Sequence, residues 1–188
     1  MILWLREHKF HVILFLFILF VFVKIAFPQK PLVNLSETQC EKMIGKTLAL
    51  KNKPYYRSEN IYSGVYTGQC TWYAHGRFRE VTGISLGNKA DAKWWLNAQR
   101  DNPKVSIVDG ADNITSPAIA VSVLGRFGHV VFIEHVVRNE QGDPITVYFT
   151  ECNGGGKNWV LKKVSYAQFA SNMRPVGYII PASHTAIG

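Results

Sequence analysis

Cys70 stands in "YTGQCTWYAHG", residues 66–76, after a Gly-Gln pair and at the head of a run with helical spacing. A cysteine there is a candidate nucleophile, because helix N-termini and a neighbouring imidazolium favour the thiolate. Nucleophilic attack on an acyl carbon needs three further parts. A base takes the thiol proton, a third group orients that base, and donors hold the developing oxyanion. His129 in "GHVVFIEHVV" is the candidate base, and Glu151 and Asn153 in "FTECN" are candidate orienting groups. Gln69, beside the nucleophile, has an amide NH₂ that can join the Cys70 backbone N–H at an oxyanion.

Whether these residues meet depends on a β-hairpin with its turn in "NEQGDP". Directly opposed residues of an antiparallel pair share a face. A turn centred near Glu140 sets His129 opposite Glu151, and one centred near Gln141 sets it opposite Asn153. Side chains alternate along a strand, so Glu151 and Asn153 share one face and Cys152 points to the other. A centre halfway between breaks the arrangement.

Other chemistries are poorly represented. "NGGGK" lacks the G-x-x-x-x-G-K-[ST] pattern of a phosphate loop and reads as a turn. "DGADN", residues 109–113, lacks the spacing of a calcium loop, so no metal or cofactor is expected. His135 lies on the His129 face, but at about 3.3 Å per residue it is roughly 20 Å along the strand and reads as a surface residue. Trp72, Trp94 and Trp95 read as core. Cys40 and Cys152 could form a disulfide, leaving Cys70 free, or remain separately buried thiols.

The elements that would position these residues follow from periodicity. "SETQCEKMIG" carries Ser36 as an N-cap and predicts a short helix ending at Gly45. Ala74, Phe78 and Val81 predict a helix from Cys70 to Thr82, stopped by Gly83. "NKADAKWWLNAQRDNP" predicts another, Ala90 to Gln99. The rest is strand-like: "SIVDG", "AIAVSVLG", "HVVFIEHVV", "ITVYFTECN", "NWVLKKVS" and "VGYIIP" are short, rich in β-branched and aromatic residues and bounded by turn formers. Helices preceding strands give an α+β class with an antiparallel sheet.

The 188 residues, 47% of them hydrophobic, suffice for one domain with a real core. Arg6 and Lys9 precede an apolar stretch from Phe10 to Phe27, long enough at roughly 27 Å to cross a bilayer core. The exit "VKIAFPQK" lacks a small-residue cleavage site. Residues 1–27 are therefore expected to be a signal anchor rather than a cleaved signal peptide, followed by a linker over 28–39. The domain, 40–188, would lie outside the cytoplasm, tethered to the cell membrane or alternatively secreted. A net charge of +8 fits a polyanionic partner such as nucleic acid, anionic lipid or an acidic cell wall.

"GQCTWYA" (68–74), "GNKADAKWW" (87–95), "GHVVFIEHV" (128–136), "FTECN" (149–153) and "GYIIP" (177–181) together resemble a CHAP domain, the cysteine, histidine-dependent amidohydrolase/peptidase family of peptidoglycan hydrolases. The resemblance covers roughly residues 60–181. It implies a papain-like fold with helices packed on the sheet, Cys70 as nucleophile, His129 as base, Glu151 as orienting residue and Asn153 as accessory or alternative. It further implies cleavage of an amide bond in peptidoglycan, by an N-acetylmuramoyl-L-alanine amidase or a crosslink endopeptidase. Peptidoglycan then becomes the expected polyanionic partner in place of nucleic acid, with envelope proteins as further candidates. A catalytically idle module that binds wall or partner proteins is the other reading. Two departures stand out: "SPAIAVSVLG" before the histidine, where many relatives read Gly-Asp, and Cys152 between Glu151 and Asn153.

Overall fold

The structure, a computed structural model, describes residues 35–48, 53–87, 89–153 and 159–182. The expected anchor, most of the linker and the "NGGGK" turn beyond Asn153 lie outside the described residues. Among the described residues no helix is long and apolar enough to cross a membrane.

Helix α1, Glu37–Met43, starts on a capping box in which the Ser36 side chain accepts from the Gln39 N–H and the Gln39 side chain from the Ser36 N–H. Leu35, immediately before it, is already buried. Helix α2, Cys70–Thr82, has the expected bounds, with Gly83 left-handed at φ 74° and its N–H on the Arg79 carbonyl. It is buried nearly all round, including Trp72, Tyr73, Ala74 and Phe78. Gly76 lets the Tyr56 ring approach, since a Cβ there would lie 2.3 Å from it.

The helix expected from Ala90 is broken: Ala92–Trp94 form a 3₁₀ turn, and α3 covers only Trp95–Gln99. The Tyr62 hydroxyl donates to the Ala90 carbonyl (3.0 Å) and accepts from its N–H (2.9 Å), tying up the carbonyl that Ala90 would give to a helix. Trp72 and Trp95 are buried, but Trp94 is 54% exposed because the turn rotates it outward. Helix α4, Tyr166–Met173, went unread in the sequence although Ser165 and Gln168 form a capping box of recognisable spacing.

Six antiparallel strands form one sheet: β1 Val105–Asp109, β2 Ala118–Ser122, β3 His129–Arg138, β4 Pro144–Thr150, β5 Leu161–Ser165 and β6 Pro175–Pro181, in the order β1-β6-β2-β3-β4-β5. One face, with Ile119, Val121, Val130 and Phe132, packs on Trp72, Phe78 and Trp95. The other, with Ala120, Val131 and Ile133, packs on Phe169 and Met173 of α4. The sheet centre is therefore covered on both sides, which is why β2 is buried throughout.

The register of the β3–β4 hairpin changes along its length. Val136 pairs with Val147 and Val137 with Thr146, the half-step arrangement. A bulge at Glu134 then shifts the ladder, so that Ile133 pairs with Phe149 and Phe132 with Thr150. The bulged residue turns its carboxylate to Arg77 of α2, whose guanidinium donates to Glu134 through Nε (2.9 Å) and Nη2 (2.8 Å) and to Glu80 through Nη1 (2.8 Å). Thr150 Oγ1 donates to Glu134 at 2.7 Å, and Tyr56 to Glu80 at 3.0 Å. All these groups are buried, and removing one partner of such a network costs about 3–5 kcal/mol. The network locks α2 against β3, and thereby Cys70 against the end of the sheet that carries His129.

Candidate active site

Cys70 is the first residue of α2, half-buried, with Gln69 at the N-cap position. As a first-turn residue its N–H has no intrahelical acceptor. His129 opens β3 opposite Ser122. Gly128 precedes it at φ 76°, where a Cβ would lie 2.5 Å from the Lys93 nitrogen and 2.6 Å from the Ser122 carbonyl. Glycine is thus required to bring the chain into the strand with the imidazole at its head.

His129 Nε2 lies 2.7 Å from Glu151 Oε2, and Cys70 lies near enough to the ring to help raise its pKa. The ladder beside the site follows the Gln141-centred register, which extrapolates to Asn153 opposite His129. The chain leaves the ladder after Thr150, however, and Glu151 reaches the ring instead. Asn153, at φ 62°, donates from Nδ2 to Gln69 Oε1 at 2.6 Å. Of the two candidate partners, Glu151 hydrogen-bonds the imidazole and Asn153 hydrogen-bonds Gln69. With that oxygen engaged, Gln69 keeps its NH₂ available as a donor.

Lys162 of β5 donates to the second oxygen of Glu151. β4 and β5 pair Phe149 with Lys162, so the ammonium rises on the Phe149 face, which Glu151 shares by alternation. The carboxylate therefore bridges two cations. Burial alone would raise its pKa, but the hydrogen bonds from His129 and Lys162 outweigh that and hold it below the usual range. For His129, burial works against the charged ring, yet the bonds to Cys70 and Glu151 and their negative charge raise it to about 9. Beside an anionic Cys70 the ring is thus held as the imidazolium, which favours transfer of the thiol proton to it.

Cys152 points to the other face, as alternation requires, into the cluster of Trp72 and Trp159. Its thiol lies 2.7 Å from the Gly68 carbonyl and accepts from Trp159 Nε1 at 2.5 Å. Burial, with the nearby Cys70 adding to it, raises its pKa to about 11. Cys40 is buried in a separate cluster with Tyr148 and Leu161, and all three cysteines are free. Of the two readings of Cys40 and Cys152, the separately buried thiols are the one found. His135 is half-buried against Tyr148 rather than fully at the surface. Among the described residues no group of three potential ligands could hold a metal.

A cleft of about 530 Å³ opens beside Cys70, walled by Tyr62, Tyr66, Ala90, Phe127 and Gly128. The Lys93 N–H donates to the Phe127 carbonyl at 3.0 Å and fixes one wall, and Tyr62 on Ala90 fixes the other. Sequence reasoning missed Lys162 and this clamp, because both depend on pairing between distant segments.

The CHAP domain family model matches residues 60–153, half of the chain. The chain is similar to N-acetylmuramoyl-L-alanine amidase sle1 of Staphylococcus haemolyticus, 32% identical over 91 residues, which covers 47% of this chain and 25% of that protein. It is similarly related to N-acetylmuramoyl-L-alanine amidase sle1 of Staphylococcus aureus strain MRSA252, 31% identical over 86 residues, covering 45% and 23%. The match thus spans about a quarter of the length of these relatives. No solved structure matches the chain significantly.

Proposed function

The chain belongs to the CHAP domain family, and from that premise we propose that it hydrolyses an amide bond in peptidoglycan with Cys70 as nucleophile. The observation that carries this reading is the imidazole of His129 held between Cys70 at a helix N-terminus and Glu151 at 2.7 Å. Nε2–H donates to Glu151, which fixes the tautomer and leaves Nδ1 as the basic nitrogen of the ring. His129 takes the thiol proton, and the sulfur attacks the acyl carbon. The Cys70 N–H and the Gln69 NH₂ hold the oxyanion, the latter aimed by Asn153. The imidazolium then gives its proton to the leaving amine as the C–N bond breaks. The neutral ring next takes a proton from water, hydroxide adds to the thioester, and the thiol regains its proton as the acid departs.

The names of the relatives favour the muramoyl–L-alanine bond over a peptide crosslink. Residues 1–27 would tether the domain to the membrane on its outer side, or be removed on secretion. Mass spectrometry of fragments released from purified peptidoglycan tests the reading. Wild-type protein should release fragments with a new free L-alanine N-terminus, and Cys70→Ala none. Release by well-folded Cys70→Ala at the wild-type rate refutes the enzyme reading and leaves the binding module in its place.

A further inference from the structure

Glu151 follows Thr150, the last residue of β4 to pair with either neighbouring strand, so no ladder fixes its backbone. Its carboxylate is held instead at its two oxygens, Oε2 against His129 Nε2 at 2.7 Å and Oε1 by the ammonium of Lys162. Lys162 lies within β5, whose five successive pairs with β4 run without a register shift. Its ammonium also stands 5.8 Å from the centre of the Phe149 ring, a second hold on the same face of the sheet. Lys163, next along the strand, points to the opposite face and donates to Glu41 of α1, so it does not compete for Glu151. The regular strand thus supplies the fixed end of this contact, and the chain beyond β4 supplies the end that must be held.

The titratable groups around the carboxylate are His129 of β3 and Lys162 of β5, with Cys70 of α2 and Cys152 beyond them. A carboxylate turned wholly to the imidazole would tighten the ring's grip on its proton, whereas a cation on the other oxygen draws off part of that negative charge. We infer that Lys162 is a positioning residue of the hydrolytic site, aiming Oε2 of Glu151 at His129 and sharing its charge so that the imidazolium releases its proton to the leaving amine. The proton passes from the ring to the amine nitrogen as the C–N bond breaks, and the acyl group stays on the Cys70 sulfur. The inference rests on the hydrolytic reading, to which it adds a residue that acts through Glu151.

NMR titration of the His129 ring in full-length Lys162→Met and Lys162→Arg tests this without need of turnover. In Lys162→Met the midpoint should rise by about half to one pH unit, which is about a three- to tenfold gain in proton affinity, as expected on removing a half-buried cation from the far side of the carboxylate. With a soluble peptidoglycan fragment as substrate, kcat should fall by about the same factor while KM stays within about twofold. Lys162→Arg should keep the wild-type midpoint and a kcat within about twofold, because a guanidinium also donates to a carboxylate. Lys162→Gln, equally uncharged, gives the same reading should Lys162→Met not fold. A lysine that only stabilises the sheet would lower the melting temperature and leave the midpoint and the turnover per folded molecule in place, which overturns the inference. A midpoint that falls, or an arginine variant no better than the methionine one, overturns it too. Failure of wild-type protein to release peptidoglycan fragments would instead count against the hydrolytic reading, and the midpoints would still decide whether Lys162 shares the carboxylate.

Discussion

Replacing Glu151 by Gln removes a charge but little volume from the carboxylate that bridges His129 and Lys162. In the folded protein the imidazole titrates at about 9 rather than 6.5. At about 1.4 kcal/mol for each tenfold change, the fold favours the imidazolium by about 3 kcal/mol, a net of burial opposing two anionic partners. Glu151 supplies a large part of the favourable side, and without it Lys162 remains nearby as an uncompensated cation. The midpoint of His129 should therefore fall by about one to two pH units in Glu151→Gln. His129 has its folded pKa raised, so its stabilisation is fully present below pH 6.5 and is lost as pH rises through about 9. The stability gap between wild type and variant should accordingly narrow on going from neutral pH to pH 10. NMR titration of the ring reads the midpoint directly, and the alkaline limb of hydrolysis should move down with it. A midpoint still near 9 in a folded Glu151→Gln protein refutes the assignment of the raised value to this contact.

Cys70→Ala and His129→Ala should each abolish nearly all hydrolysis without unfolding the domain. The double variant should be hardly worse than either, as for members of one catalytic unit; additive losses would separate their roles. Asn153→Ala, which frees Gln69, should lower kcat and leave the His129 midpoint in place, whereas a shifted midpoint would return Asn153 to the imidazole. Cys152→Ser should lower stability by about 1–2 kcal/mol in denaturant melts through its place among Trp72 and Trp159, with turnover per folded molecule near wild type. Buried His75 has its pKa depressed to about 4, chiefly by burial, so stability should fall by about 3 kcal/mol between pH 6.5 and 4. His75→Gln should flatten that slope in melts across the range.

Much of the site's framework was legible in the chain because it rests on local rules. Ala74, Phe78 and Val81 mark one helix, Gly83 ends it, and Cys70 must then begin it. Alternation put Cys152 on the face opposite Glu151, and turn residues bounded six strands close to where they occur. The α4 helix was also legible, through its capping box.

What the chain could not disclose are the contacts set by packing between distant segments. Either hairpin register satisfied the alternation, and the choice fell to a bulge whose residue is drawn out of the ladder by Arg77, 57 residues away. Chain departure after Thr150 gave Glu151 to His129, and the Gln69 amide took Asn153. Lys162 joined the carboxylate because β5 lies beside β4. Sequence periodicity determines which face a residue occupies, since that follows from backbone geometry alone; which neighbour it meets there is a property of the assembled sheet and its helices.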